Sequence, residues 1–459
     1  MESSGPGGSH CCEIAIVGGG CSGTLTAAQL LRHGFQGGIT IIEMRPRLGR
    51  GLAYSTPFEQ HLLNVPAGNM SAFPDEPAHF LEWLRRRGWP GVAPDAFAPR
   101  MLYGDYLADV LQDTVRVSGN VNFRHLRGEV VDATTNANQA ILRLSDESTV
   151  TAGKVVFALG NPASAPLNNA TTRLMGDRWH DSPWIGGALR VRFPGERILL
   201  VGTGLTAIDA VLAFHSQSVL SKTYLLSRRG ILPQVHSLGR AVAPPPVFEN
   251  PNSIRLMFRQ LRAQIALLRE QDQCWRTAID ALRPISNDLW RGLPLADQRR
   301  FLRHLRRYWE VHRHRMAPQV RRRLDELIAE HRVEVISGRI HKADRRGGTI
   351  DLTIAQRRLG ERHLQVDRAI NCTGIHEDYR DRPRRLIRAL IDNGLAAPND
   401  LGTGFRTGEF GELIDSQGRP SNVLFTLGPP RRGELFETTA VPEIRRQAEA
   451  LARHLTAGI

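Results

Sequence analysis

Glycine at Gly18, Gly20 and Gly23 constrains this chain more than any other feature. The apolar run Ile14 to Val17 leads into this turn, and the alanine- and leucine-rich run Thr24 to Leu31 leaves it. Strand, tight turn and helix in that order form the device that holds a dinucleotide pyrophosphate. Gly18 permits the turn, Gly20 lets backbone approach phosphate, and Gly23 lets helix and strand pack closely. Cys21 and Ser22 fill the turn, and the helix start aims free N–H groups and its positive dipole end at the anion. A second strand, Ile39 to Ile42, ends in Glu43, where an acid hydrogen-bonds ribose hydroxyls.

The device recurs at Gly202-x-Gly204-x-x-Ala207, after the apolar run from Ile198 to Val201. Leu205 and Thr206 fill this turn, and Ala207 takes the third glycine position, a variant the pattern permits. The strand that follows, Thr223 to Leu226, runs into Ser227-Arg228-Arg229 and has no terminal acid. Two guanidiniums and a hydroxyl suit a 2′-phosphate, which predicts NADPH rather than NADH. Two different nucleotide sites in one chain predict hydride transfer from a nicotinamide to a flavin.

With both turns placed, the chain resembles the bacterial FAD/NAD(P)-binding family allied to the class B flavin monooxygenases. Those allies are the ornithine and lysine N-hydroxylases, the flavin-containing monooxygenases and the Baeyer–Villiger enzymes. The likeness rests on Gly49-Arg-Gly-Leu-Ala-Tyr-Ser55, His61-Leu-Leu-Asn-Val-Pro66 and Met70-Ser-Ala-Phe-Pro-Asp75. Arg100-x-x-Tyr103-Gly-Asp-Tyr106-Leu, Asn371-Cys-Thr-Gly374 and Glu437-Thr-Thr-Ala-Val-Pro-Glu443 extend it. It implies FAD at the first turn and NADPH at the second. It also implies cofactor-binding roles for Arg50, Asn64, Arg100, Tyr106 and Val130. Gly160 and Gly374 would mark the two chain crossings between domains, their glycines allowing close backbone approach. Gly428, Thr438 and Thr439, before a last helix from Pro442, would face the flavin ring. Gly176, His180 and Trp184 resemble the linker fingerprint of Baeyer–Villiger enzymes, with Leu174 departing from its phenylalanine; a surface histidine beside a packed tryptophan is the plainer alternative.

The expected fold is α/β with two Rossmann-like domains, the NADPH domain inserted into the FAD domain. The FAD domain would run over residues 11–190 and resume over 366–459. The NADPH domain would span 191–365 and carry a helical insertion at about 251–330, covering a cleft or making an interface. The segment Met1 to Cys12 reads as a frayed tail without a secretory pattern, and the expected location is the cytoplasm.

The expected activity is an NADPH-using monooxygenase acting through a C4a-hydroperoxyflavin on oxygen and a small amine-type or carbonyl substrate. No catalytic side chain is assigned, because the cofactor makes the bonds. One alternative is a flavin reductase or oxidase without oxygen transfer. A disulfide reductase needs a close redox cysteine pair, and the five cysteines offer only the Cys11–Cys12 neighbours, before the first strand. A non-catalytic nucleotide- or nucleic-acid-binding protein is the other alternative, suggested by a net charge of +14. That charge is almost all arginine and has no nucleic-acid module with it, so it reads as a solvated basic surface. No metal site is expected.

Overall fold

The computed structural model describes residues 8–119, 121–164, 167, 170–218, 220–237 and 243–457. The chain opens with β1 (Ser9–Val17), α1 (Cys21–Arg32) and β2 (Ile39–Glu43). Thus β1 begins before the expected apolar run: residues 9–12, read as tail, pair with the strand 149–157. The rest of that tail, residues 1–7, lies outside the described residues. Next come α2 (His79–Arg86), α3 (Arg100–Val117), β3 (Phe123–Arg127), β4 (Val130–Thr135), β5 (Ala140–Leu144) and β6 (Thr149–Phe157).

A second unit follows α4 (Ala170–Met175) and a short strand β7 (Trp179–His180). It starts β8 (Arg197–Val201), α5 (Leu205–Gln217), β9 (Lys222–Ser227). Five helices come next: α6 (Ile254–Glu270), α7 (Arg276–Ala281), α8 (Ser286–Gly292), α9 (Leu295–His304) and α10 (Arg306–Arg313). Then α11 (Pro318–Ala329) and β10 (Val333–Ser337) lead to the antiparallel strands β11 (Arg339–Arg346), β12 (Thr349–Gln356) and β13 (Gly360–Val366). The chain finishes with β14 (Arg368–Asn371), α12 (Arg385–Asp392), β15 (Glu412–Ile414), β16 (Pro420–Thr426) and α13 (Val441–Ala457).

The first sheet runs β15-β16-β6-β1-β2-β3, with the β4–β5 hairpin branching from β6. Its central strands are parallel, as expected where both faces are covered. Leu25, Tyr106 and Leu451, from α1, α3 and α13, cover one face; Leu386 and Leu390 of α12 cover the other. The second sheet, β10-β9-β8-β14-β7, is parallel throughout. Val211 of α5 and Leu324 of α11 pack on one face, while Ile350 and Leu352 of β12 close the other.

The second sheet therefore draws β7 and β14 from outside residues 191–365, on both sides. Helix α11, inside the expected insertion, instead completes the core of the second unit, because its buried Val320, Leu324 and Leu327 face α5. The helices of the insertion proper are α6 to α10.

His215, in α5, ties this core to a surface arginine: its Nδ1 accepts from Arg332 at 2.8 Å and its Nε2–H faces Thr223 Oγ1 at 3.1 Å. Burial, and then the Arg332 charge, lower its pKa to about 4. The unfolded value lies near ~6.5, so the neutral ring stabilises the fold above that pH, and this contribution is lost as pH falls toward 4. The denaturant midpoint is expected to fall across that window, with a shallower fall in His215→Gln; an identical slope in the variant would assign the acid loss elsewhere.

Candidate functional site

The two glycine turns are built alike. Gly18 sits at φ +108, and a Cβ there would meet the Ala158 carbonyl oxygen at 2.4 Å. Gly202 sits at φ +129, where a Cβ would meet the Cys372 carbonyl oxygen at 2.2 Å. Only glycine fits either place. Gly18 N–H donates to Ile42 O at 2.9 Å and Gly202 N–H to Leu226 O at 2.7 Å, so each turn hangs from the neighbouring strand. Gly23 has no room for a side chain, a Cβ falling 1.9 Å from Gly18 O, whereas the second turn accommodates the small buried Ala207.

Helix α1 starts on Gly20 and α5 on Gly204, both extended, both without a side-chain cap and without an acid in the first turn. Two helix starts thus present first-turn N–H groups and an unopposed positive dipole end. A Cβ on Gly204 would meet nothing within 4 Å, so open space faces the second turn. A Cβ on Gly20 would lie 3.3 Å from Gly51 Cα, because the Gly49–Gly51 loop folds over it and donates Gly49 N–H to Gly19 O at 2.8 Å. That role of Gly49 and Gly51 was not read from the sequence, although both lie in a motif quoted for the resemblance.

The ends of the second strands differ as their chemistry requires. Glu43 is buried; its Oε2 accepts Gly19 N–H at 2.8 Å and its Oε1 accepts Arg45 N–H at 2.9 Å. Each oxygen keeps a lone pair for a hydroxyl. In the second unit Ser227 Oγ accepts from Thr203 Oγ1 at 3.0 Å and from Gly230 N–H at 3.0 Å. Arg228 and Arg229 are exposed, and Arg229 donates to the Tyr308 hydroxyl of α10. The residues of both turns fit a dinucleotide: an adenosine ribose diol at Glu43, and a 2′-phosphate at Ser227 to Arg229.

Other expected residues fall into three groups. Gly428, Thr438 and Ser22 come together at the first turn. A Cβ on Gly428, at φ +72, would lie 2.9 Å from Ser22 Oγ, and Thr438 Oγ1 donates to Gly428 O at 2.9 Å. Gln447, from α13, receives Gly428 N–H at 3.0 Å and reaches Thr438 Oγ1 at 2.8 Å. Thr439 follows, half-buried. Cys21 sits at the start of α1, where burial pushes its thiol up to about 12. Gly160 and Gly374, at φ +61 and +110, have nothing within 4 Å of a Cβ and stand just past the crossings at Ala158 and Cys372.

A second group clamps the units together. Within the first unit, beside this clamp, Arg50 pairs with Asp105 at the tight approach of Gly104. Arg100 reaches Asp209 of α5 at 2.7 Å and Leu62 O at 3.0 Å. His61 Nε2–H donates to Asp209 O at 2.8 Å while its Nδ1 accepts from Thr56 at 2.7 Å, and burial, its largest cause, holds its pKa low. Asn64 O accepts from His236 Nε2 at 3.0 Å. Asp209 went unread because a single acid inside a helix carries no motif.

The third group comprises two residues packed inside the first unit and the three expected at the linker. Tyr106 is fully buried, its hydroxyl on Ala72 N–H at 2.9 Å and His79 Nδ1 at 2.7 Å. It holds the 70–76 loop and offers no surface to a ligand, which corrects the expected contact. The Val130 side chain is buried in the second-face core of the first sheet. Gly176 precedes β7, where His180 pairs with Ile370, and Trp184 meets the His61 ring at 6.1 Å. These three join the crossing to the second sheet.

Comparisons with known proteins agree with this architecture. Residues 15–162 match the model of the FAD-NAD(P)-binding family. A comparison with curated protein sequences finds no match. Among solved structures, L-lysine 6-monooxygenase from Pseudomonas syringae is similar at TM-score 0.67 and 16% identity, over 98% of this chain and 100% of that one. Ornithine N-hydroxylase from Kutzneria sp. 744, solved with reduced FAD, NADP+ and L-ornithine, gives 0.66 and 14%, over 98% and 99%. The bacillithiol disulfide reductase of Staphylococcus aureus gives 0.55 and 12%, over 98% and 99%. The chain therefore has the fold of two-dinucleotide flavoproteins, a fold that serves both oxygenases and reductases. Among the described residues no helix is long and apolar enough to cross a membrane, and no cluster of ligands could hold a metal ion.

Proposed function

We propose that this chain is a cytoplasmic, NADPH-dependent flavin monooxygenase with FAD on the first turn and NADPH on the second. The observation that carries it is the duplicated turn, with Gly18 against Ala158 and Gly202 against Cys372, ending in an acid once and in arginines once. Bound FAD supplies the means to accept hydride from NADPH and to activate oxygen. The balance is one NADPH, one proton, one oxygen molecule and one substrate giving NADP+, water and the singly oxygenated product.

The protein's own part is to bind, orient and exclude water. The N–H groups at Gly20 to Gly23 and at Leu205 to Thr206 would hold the two pyrophosphates. Arg100, His61 and Asp209 fix the angle between the units. Asn287, Trp290 and Trp309 bind the insertion to the segment 433–437, donating to Glu437 O at 3.0 Å, Gly433 O at 2.9 Å and Glu437 Oε1 at 3.1 Å.

A disulfide reductase reading is disfavoured by the cysteines. Cys21, the one at the first turn, has no cysteine close to it in sequence with which to form a redox pair, and burial raises its thiol pKa.

Incorporation of labelled oxygen into an amine or ketone, coupled to NADPH consumption, tests the proposal. Release of all consumed oxygen as peroxide with every such substrate would remove the monooxygenase. Replacing Arg228 and Arg229 together by alanine is expected to raise KM for NADPH at least about tenfold, as charge-assisted phosphate bonds are worth ~1.5–3 kcal/mol, while KM for NADH stays near its starting value. Equal effects on both coenzymes would mean these arginines do not read the 2′-phosphate.

A further inference from the structure

Helices α6 to α10 line a half-open cavity of ≈ 670 Å³, of the size that takes a drug-sized ligand. Trp275, Trp290, Phe301 and Tyr308 form its walls together with one face of α6, and Phe436 forms part of the lining from the C-terminal segment. Of the 17 residues of α6 only Ile254 and Met257 are buried. Leu261 and Ile265, on the apolar stripe, are only half-buried, because what they face is the cavity. A stripe of that kind is normally covered. A ligand in the cavity would cover it.

The cavity adjoins both expected cofactor segments. Phe436 lies two residues before Thr438, Trp309 bonds to Glu437, and Tyr308 carries the Arg229 guanidinium 5.4 Å from its ring centre. Its polar composition is one-sided. Among the described residues no aspartate or glutamate lines it, so an ammonium group entering it would lose water with no acid there to compensate. Ser286 Oγ donates to Leu282 O at 2.7 Å and His312 Nδ1 bonds Tyr308 O at 2.7 Å, both internal commitments. The charged groups are Arg262 and Arg269, exposed on α6 and, among the described residues, in no ion pair. An anionic end would find two guanidiniums there.

We infer that this cavity binds the substrate, and that the substrate is an apolar molecule with an anionic end, its oxidisable group on the apolar body. This rests on the proposed oxygenation for the word substrate, whereas occupancy of the cavity does not. The test is calorimetric titration of the FAD-loaded full-length protein at neutral pH with decanoate, decylamine and L-ornithine as probes. Decanoate is expected to bind at least about tenfold more tightly than decylamine or ornithine, a difference of ~1.4 kcal/mol. Replacing Arg262 and Arg269 together by alanine is expected to bring decanoate and decylamine close to parity. Ile265→Glu is expected to weaken decanoate at least about tenfold, and Leu261→Trp, which fills volume without adding charge, provides the same readout if the first variant does not fold. Decanoate binding no tighter than ornithine, or unchanged in these folded variants, overturns the inference. Bleaching of the flavin by NADPH in the same preparation is read separately, so a protein that bleaches but ignores decanoate loses the cavity assignment alone. One that takes up decanoate but does not bleach loses the redox reading alone.

Discussion

A Gly204→Val protein is expected to keep its FAD and to lose about 10- to 100-fold in apparent affinity for NADPH. The substitution is compatible with the fold: Gly204 has an ordinary extended φ of −81, and a Cβ there meets nothing within 4 Å. In the proposed enzyme that space would take the coenzyme pyrophosphate, on the first N–H groups of α5. Loss of one or two charge-assisted bonds, each worth ~1.5–3 kcal/mol, sets the magnitude. Gly202 is unsuited to this test, since a side chain there collides with Cys372 and damages the fold itself. Stopped-flow reduction of the flavin at increasing NADPH gives the answer. Unchanged affinity with unchanged FAD content would remove NADPH from the second turn.

The largest stability effect is expected from Glu196→Ala. Glu196 and Arg368 are 0% and 1% exposed and approach to 2.8 Å. Arg368 also donates to Ala188 O at 2.8 Å and Arg190 O at 2.6 Å, so the pair binds the segment leading into β8 to strand β14. Removing the carboxylate strands a buried guanidinium, which costs ~3–5 kcal/mol where a buried pair is broken from one side. Replacing both partners by apolar residues of similar volume is expected to recover most of that loss, because no buried charge is left unpaired; Arg192, which also pairs with Glu196, is part-exposed and can be solvated. Chemical denaturation of the two variants checks it; a single variant within ~0.5 kcal/mol of the parent would show that the pair is solvated in solution.

Much of the site was legible because its constraints are local. Gly18 and Gly202 take a positive φ within their own turns and Gly23 packs on Gly18, so the sequence pattern carries them. Glu43 and Ser227 follow from strand length, which fixes where the chain emerges beside each turn. The clamp was not legible in that way. Asp209, Glu377 and Asn287 act across the fold, Glu377 pairing with both Arg306 and Arg432. Nothing near them in sequence marks them. Tyr106 misled for the opposite reason: it sits in a motif carried by resemblance, yet its hydroxyl is spent inside the protein. The arginines that dominate the charge proved mixed, some in buried pairs such as Arg368 and others on the open face of α6.

The account depends on electrons passing between two coenzymes held by one chain, and anaerobic titration of the purified protein with NADPH reads that transfer without assuming a substrate. It predicts a yellow protein whose flavin absorbance is lost with one equivalent of NADPH per FAD, and whose loss is displaced to higher NADPH in Gly204→Val. A colourless protein, or a bound flavin that stays oxidised under excess NADPH, would contradict it.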